Sequence, residues 1–444
     1  MADKTELFKL LLETVGESSP EVAEQIKEEL KAQRGRLKLI ASENYNSLPV
    51  LMAGASLTMD KYSEGNVGKR YYSGCEQVDK IEQLAIDYAK ELFGAEYAYV
   101  QPSSGSDANL IAYYALVKYL GLDRKPRLLS MSVDCGGHLT HSNPQNIVNE
   151  LFEVHTYGVD EAGWISYDNI REIANQVKPD VILAGYSAYP RKLDFSKFRE
   201  IADEQNAILM CDMAHFAGLV AGKVFTGVYN PVPYCDVVTS TTQKTLRAGR
   251  GGIILSKEKF ADQISKGCPI AQGGPLNNMV AAKAVGFAEA LKPEFQEYAS
   301  QVVRNCKVLA DTLKAGGIKL QTDGTDNHLI IINLLPLGVT GRMAENALLE
   351  CNIVTNRNSI VNDPNGYWYC SGLRIGTAAL TSRGMKENEM KLIGTYISMI
   401  LNNISPVGDS KIKYSLPKEI KDEVLNGVNS LLERFPLYPE IGEI

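Results

Sequence analysis

Apolar residues fall along this chain in two alternating rhythms. Short unbroken runs such as Val181-Ile-Leu-Ala-Gly185 and Ala207-Ile-Leu-Met-Cys-Asp212 are bounded by Gly, Pro or Asp, and the stretches between them repeat apolar side chains at three- and four-residue intervals. The first rhythm predicts buried strands, the second amphipathic helices. Their alternation between about residues 75 and 290 predicts an α/β fold, a mainly parallel sheet covered by helices on both faces. One crossover is legible in full. A strand over 181–185 leads to a helix capped by Asp194 and running toward Gln205, and a second strand follows over 207–212.

The flanks differ. Residues 1–40 are helical and charged, with Val22, Ile26, Leu30 and Leu37 spaced among acids and bases, which predicts an arm suited to an oligomer contact. A helical stretch from about Leu276 to Lys314 gives way to Gly316-Gly-Ile-Lys-Leu-Gln, Asn327-His-Leu-Ile-Ile-Ile-Asn-Leu and Arg374-Ile-Gly-Thr, the pattern of a smaller α+β unit. The expected division is therefore an N-terminal arm (1–50), a large domain (51–305) and a small C-terminal domain (306–444). Ser405 to Leu416 reads as an exposed loop before a last helix, Lys418 to Arg434.

Composition narrows the function. With 444 residues and 45% hydrophobic content the chain fills a large core, and its net charge of −7 comes without the long basic run that nucleic acid or an anionic membrane would require. A small-molecule enzyme is expected. The start, Met1-Ala-Asp-Lys-Thr-Glu-Leu-Phe-Lys-Leu-Leu-Leu12, lacks a basic, unbroken apolar leader and predicts a short amphipathic helix. The longest apolar run, Leu329–Leu335, falls far short of the roughly 20 residues a bilayer requires, so a cytoplasmic protein is expected. Eight scattered cysteines without Cys-x-x-Cys spacing predict reduced thiols, with neither disulfides nor a metal site.

Three strand ends carry candidate chemistry. The run Asp236-Val-Val-Thr-Ser-Thr-Thr-Gln-Lys244 ends in hydroxyls and one amine, placed to form an imine if it is semi-buried and its pKa depressed. Asp212 ends the preceding strand, where a carboxylate can hold a pyridine nitrogen protonated; alone it fits a helix cap equally well. Ser104-Gly105-Ser106 lies between a short strand and a helix, a setting for phosphate and also for ordinary capping. His215, three residues past Asp212, could orient that acid or a cofactor phenol, or be a satisfied polar residue near the core. In one doubly wound sheet these residues converge, and together they point to pyridoxal phosphate.

Longer motifs sharpen this. Leu39-Ile-Ala-Ser-Glu-Asn44, Tyr62-Ser-Glu-Gly65, Gly68-Lys-Arg-Tyr-Tyr72, Gly136-Gly-His-Leu-Thr-His141, Asp212-Met-Ala-His215, Lys244-Thr-Leu246, Gly273-Gly-Pro275, Gly324-Thr-Asp-Asn-His328 and Asn362-Asp-Pro364 occur in order between about residues 37 and 400. They resemble the serine hydroxymethyltransferase family. The resemblance implies a fold-type I pyridoxal-phosphate enzyme with a seven-stranded central sheet, which interconverts serine and glycine with tetrahydrofolate. It implies that Lys244 is the covalent lysine, Asp212 the pyridine partner and His138 the imidazole stacked on the ring. Ser104, Gly105, Ser106 and Thr241 would hold the cofactor, with Gly274 donated by a neighbouring subunit. Ser187 would sit by the phenolate, and His215 would complete the Asp212 network. Arg374, Ser42, Tyr72 and Gln243 would contact substrate. Glu64, with Tyr62 beside it, would handle the serine hydroxyl proton and folate across a dimer interface, with Val133, Gly137, Leu139 and Asn358 forming the rest of the folate pocket. A homodimer is the minimal unit so implied, with a tetramer also open.

The chain departs from the family pattern at Gln243, where a histidine is usual, and at Ala248-Gly-Arg-Gly-Gly252, Ser103, Cys135 and Val133. Gln243 cannot become a cation, which keeps open a related aldolase or transaldolase, or an α-methylserine hydroxymethyltransferase. A non-catalytic relative is the alternative of another class.

Overall fold

The computed structural model describes residues 4–442. Of the expected N-terminal helix, Lys4–Ser18 is helical, and Met1, Ala2 and Asp3 lie outside the described residues. A second helix, Pro20–Arg34, buries none of its side chains, as a charged arm would.

Seven strands build the central sheet: β1 (Tyr97–Tyr99), β2 (Arg127–Met131), β3 (Glu153–Tyr157), β4 (Val181–Gly185), β5 (Ile208–Asp212), β6 (Val237–Thr241) and β7 (Gly252–Ser256). Their order is β1-β7-β6-β5-β4-β2-β3, with β7 antiparallel to both neighbours and the remaining pairs parallel. Every residue of β4 to β7 is buried, which is why those strands read as unbroken apolar runs. Successive side chains serve opposite faces. Ile182, Leu209 and Cys211 enter one apolar cluster, whereas Val181, Leu183, Ile208 and Met210 enter another. The predicted crossover is present, its helix Phe195–Glu204 capped by Asp194, whose Oδ1 accepts from Ser196 N at 2.9 Å.

The helical stretch near residue 300 is two helices, Asn277–Ala290 and Pro293–Ala315. Pro293 breaks them apart, since its ring removes an amide donor and presets the first turn of the second. That second helix serves two cores. Phe295, Ala299 and Val302 pack in the core of the large sheet, and Cys306, Leu309, Ala310 and Leu313 in a separate core. Around the separate core runs an antiparallel sheet of β8 (Lys319–Leu320), β9 (Leu329–Asn333), β10 (Asn356–Asn358) and β11 (Gly372–Gly376), in the order β8-β9-β11-β10.

Two local expectations change. The segment after the N-terminal helices is no free arm: Leu37–Lys38 pairs in parallel with Ile353–Val354, and Leu37 and Leu39 are fully buried in the second core. The expected loop after Ser405 contains a small hairpin, Ser405–Pro406 against Tyr414–Ser415, before the last helix, Lys418–Arg434. Among the described residues no helix is long and apolar enough to cross a membrane, and all eight cysteines are free thiols.

Candidate active site

Parallel strands point their carboxyl ends the same way, and the chemistry collects there. In register, Gly185 faces Asp212 and Asp212 faces Thr239, so the ends of β4, β5 and β6 form one floor. His138 and Ser187 follow β2 and β4, Lys244 follows β6, and the Gly105–Leu120 helix begins beside them.

Asp212 is 6% exposed, and its oxygens are occupied. Oδ2 accepts from Asn109 Nδ2 at 2.9 Å and from His141 Nε2 at 3.1 Å, and Oδ1 accepts from Ala214 N at 3.0 Å. Burial alone would raise the carboxyl pKa; the hydrogen bonds from His141 and Asn109 hold it well below the usual carboxylate range. His141 Nδ1 accepts the His138 amide at 3.3 Å, so its proton sits on Nε2, facing Asp212. Thr239 Oγ1 donates to Asn109 Oδ1 at 2.6 Å, fixing that amide's orientation. His138 is neutral by the same logic: Thr140 N donates to its Nδ1 at 3.2 Å, and burial pushes its pKa down to about 4. His138, His141 and Asp212 bring possible metal-binding atoms within 4.8 Å of one another, but His141 Nε2 and Asp212 are bonded to each other and His138 Nδ1 accepts from Thr140.

Lys244 is buried, and among the described residues its Nζ has no hydrogen-bond partner. Its carbonyl is anchored instead, accepting from Asn44 Nδ2 at 2.9 Å. Burial pushes the amine pKa down to about 8, with Asp212 pulling upward and Arg374 adding to the depression. Reconstitution of the cofactor-free protein with pyridoxal phosphate should therefore accelerate with rising pH through a midpoint near 8 and then level off. A rate still climbing tenfold per unit above pH 9 would contradict this buried setting.

Arg374, on β11, donates from Nη1 to Ser187 O at 2.7 Å, from Nε to Asn356 Oδ1 at 3.3 Å and from Nη2 to Ser42 Oγ at 3.5 Å. Among the described residues no carboxylate ion-pairs with it, and burial lowers its pKa to about 10. The site thus holds a half-buried guanidinium and a buried lysine against one carboxylate, a charge balance that favours anionic ligands.

Glycines close the floor. A Cβ on Gly105 would meet Thr241 Cγ2 at 2.6 Å, so only glycine lets the start of that helix approach β6. Gly136 has φ +107°, and a Cβ there would meet Ala188 O at 2.6 Å; the turn brings His138 over Asp212's strand end. Ser104 caps the helix, its Oγ accepting from Asp107 N at 3.0 Å, and Ser106 is exposed at its first turn. Thr241 Oγ1 donates to Ala214 O at 3.2 Å.

Other expected residues lie elsewhere. Tyr62, Glu64, Tyr72 and Gly274 form their own cluster: Tyr62 OH donates to Glu64 Oε1 at 3.3 Å, its ring packs edge-on to Tyr72 at 5.0 Å, and a Cβ on Gly274 would touch it at 3.2 Å. Among the described residues no hydrogen bond or ion pair joins this cluster to Lys244, Asp212 or Arg374. Gln243 turns its carboxamide oxygen to Gly251 N at 3.4 Å. Val133, Gly137 and exposed Leu139 share the turn around His138, whereas Asn358 lies on β10 and donates to Ser359 O at 2.6 Å. Between these two groups opens a cavity of about 550 Å³, lined by Ser132, Asp134, Cys135, Ser359, Ile360 and Tyr367.

His215 makes no hydrogen bond to Asp212; its Nδ1 lies 3.3 Å from His328 Nε2, and both rings are buried and held neutral, their pKa values depressed first by burial. The side chains that bond Asp212 directly are His141 and Asn109. Both have a signal in the sequence: His141 closes the Gly-Gly-His-x-x-His run, and Asn109 is a lone amide on an otherwise apolar helix face with Ala108, Ile111 and Ala112.

A family model described as serine hydroxymethyltransferase matches residues 15–397. The chain belongs to the serine hydroxymethyltransferase family. It is 48% identical to the serine hydroxymethyltransferase of Salinispora tropica across 98% of both chains, and 47% identical to that of Cutibacterium acnes across 97% of this chain and 95% of the relative. With the Mycolicibacterium smegmatis serine hydroxymethyltransferase it shares 48% identity over 97% of this chain and 94% of the other. The serine hydroxymethyltransferase family has the fold-type I architecture, with pyridoxal phosphate as cofactor and tetrahydrofolate as co-substrate. The residues present fit that cofactor: an unpartnered buried amine, a carboxylate clamped as an anion, and a helix start opened by Gly105.

Proposed function

We propose that this chain catalyses the reaction of its family, transferring the hydroxymethyl carbon of L-serine to tetrahydrofolate to leave glycine and 5,10-methylenetetrahydrofolate. The observation that carries the reading is the buried amine of Lys244, free of hydrogen bonds, beside the clamped Asp212. When bound, pyridoxal phosphate supplies an electron sink for the pair left on the substrate's α-carbon. The protein does the remainder. Lys244 would hold the cofactor covalently through its amine. Asp212, kept ionised by His141 and Asn109, would hold the pyridine nitrogen protonated, and His138, neutral, would supply a flat face to the ring. Ser187 and His215 would serve the cofactor's phenolate.

Ser104, Ser106, Thr241 and the amides around Gly105 receive the phosphate at the start of a 16-residue helix, whose dipole favours an anion. Arg374, backed by Ser42, takes the substrate carboxylate with two parallel hydrogen bonds. Gln243, held to the main chain at Gly251, borders the substrate. Glu64 accepts and returns the serine hydroxyl proton, with Tyr62 and Tyr72 alongside. Val133, Gly137, Leu139 and Asn358 bound the folate pocket, and the 550 Å³ cavity beside them has the size of a ligand site.

A second subunit completes this reading. Tyr62, Glu64, Tyr72 and Gly274 sit apart from Lys244 within one chain, beside exposed Leu57, Met59 and Tyr71 at 83%, 64% and 74% accessibility. An apolar surface of that kind marks a contact with another chain, and a homodimer would bring the cluster to the partner's lysine. The arm helices, with exposed Leu7, Leu10 and Val22, extend the same contact, and a cytoplasmic location fits the free thiols.

Serine cleavage measured with and without tetrahydrofolate, alongside threonine and α-methylserine, tests the assignment. Turnover of serine is expected to depend strongly on folate and to exceed that of α-methylserine. Folate-independent serine turnover would convert the reading to an aldolase.

A further inference from the structure

Lys283 lies in the middle of the Asn277–Ala290 helix, 1% exposed, and has no ion-pair partner among the described residues. Its Nζ donates instead to three main-chain carbonyls: Val100 O, Pro102 O at 3.0 Å and Gly252 O at 3.2 Å. An ammonium has three donors, and all three are used. A buried lysine without a carboxylate is costly, and a methionine of similar length would fill the same space more cheaply as far as stability alone is concerned.

What the carbonyls belong to gives the lysine a task. Val100 follows β1, Pro102 opens the loop that becomes Ser104-Gly105-Ser106, and Gly252 starts β7. Gly252 pairs with Thr241, the residue whose methyl group contacts the face of Gly105, and Gly252 N donates to Pro102 O at 2.9 Å. A Cβ on Gly252 would meet Ser104 O at 2.2 Å, so the loop is seated directly on that glycine. Lys283 therefore ties both sides of the phosphate cradle from beneath, one helix away from any ligand.

We propose that Lys283 is a positioning residue for the cofactor phosphate, its ammonium gathering the carbonyls of Val100, Pro102 and Gly252 so that the Ser104–Ser106 turn is held against Thr241. The proposal rests on the assignment of that turn as the phosphate site. Both pyridoxal 5′-phosphate and pyridoxal, which lacks the phosphate, condense with Lys244, and only the first uses the cradle. The experiment measures the dissociation constants of both for cofactor-free wild type, Lys283→Met and Lys283→Gln, with thermal unfolding of each protein.

Lys283→Met is expected to weaken pyridoxal phosphate at least tenfold while changing pyridoxal less than twofold, and Lys283→Gln, which keeps two donors, is expected to fall between. Equal weakening of both ligands would reduce Lys283 to a purely structural role and overturn the proposal, as would an unchanged ratio. Should Lys283→Met fail to fold, the ratio in Lys283→Gln decides. A wild type that binds the two ligands equally would instead overturn the phosphate-site assignment itself.

Discussion

Lys244→Ala protein prepared with pyridoxal phosphate is expected to lose the absorbance of the covalently held cofactor and to carry it, if at all, as the free aldehyde. Serine cleavage should fall steeply, because the nucleophilic amine that would hold the cofactor is gone. The cause lies in the setting of the amine. Its Nζ has no hydrogen bond among the described residues and its pKa is drawn down to about 8, so about a tenth of it is unprotonated and nucleophilic at pH 7, far more than for an ordinary lysine. Neighbouring lysines cannot substitute, because the other deeply buried amine, Lys283, is committed to three carbonyls. An unchanged spectrum in Lys244→Ala would sink the assignment, and restoration of part of the activity by a small exogenous amine would support it.

Arg374→Met should separate binding from stability. The guanidinium is half-buried and has no carboxylate partner among the described residues, so its charge stays incompletely compensated until an anion binds. Losing a buried charge-assisted pair typically costs about 2–5 kcal/mol, so KM for serine is expected to rise by about 30-fold to several thousand-fold. Arg374→Lys should recover only part of this, since an ammonium cannot present two parallel donors to a carboxylate. Thermal unfolding of the ligand-free protein, by contrast, should stay level or move upward in Arg374→Met. A large fall in thermal stability with unchanged KM would assign the residue to the fold instead of the substrate.

The strand ends were legible because burial on both faces writes a strand as an unbroken apolar run, and a polar residue ending such a run stands out. Asp212 and Lys244 are marked in this way, and Asp194 is marked by the cap it makes. Asn109 and His141 carry the same weight in the site, yet only spatial neighbours distinguish an amide on a helix face from a tolerated polar residue. His215 shows the converse: three residues from Asp212 in sequence, it turns to His328, more than a hundred residues away. The pairing of Leu37–Lys38 with Ile353–Val354 has no local mark, since a two-residue strand lacks a period and its partner is distant. Tyr62 and Glu64 were identified through their motif and not through periodicity, and only the fold shows how far they stand from the lysine of their own chain.

The helix Pro293–Ala315 bears on how the substrate is gripped. Its first half is embedded in the core beneath Lys244 and its second in the core that carries Arg374, and between them Asn305 donates to Thr381 Oγ1 and Met385 O, both at 2.9 Å. A continuous helix pinned at both ends and bonded at its middle behaves as a strut. The spacing between the amine that holds the cofactor and the guanidinium that holds the carboxylate is then set before serine arrives, and amino acids are sorted by reach, as if by a fixed calliper.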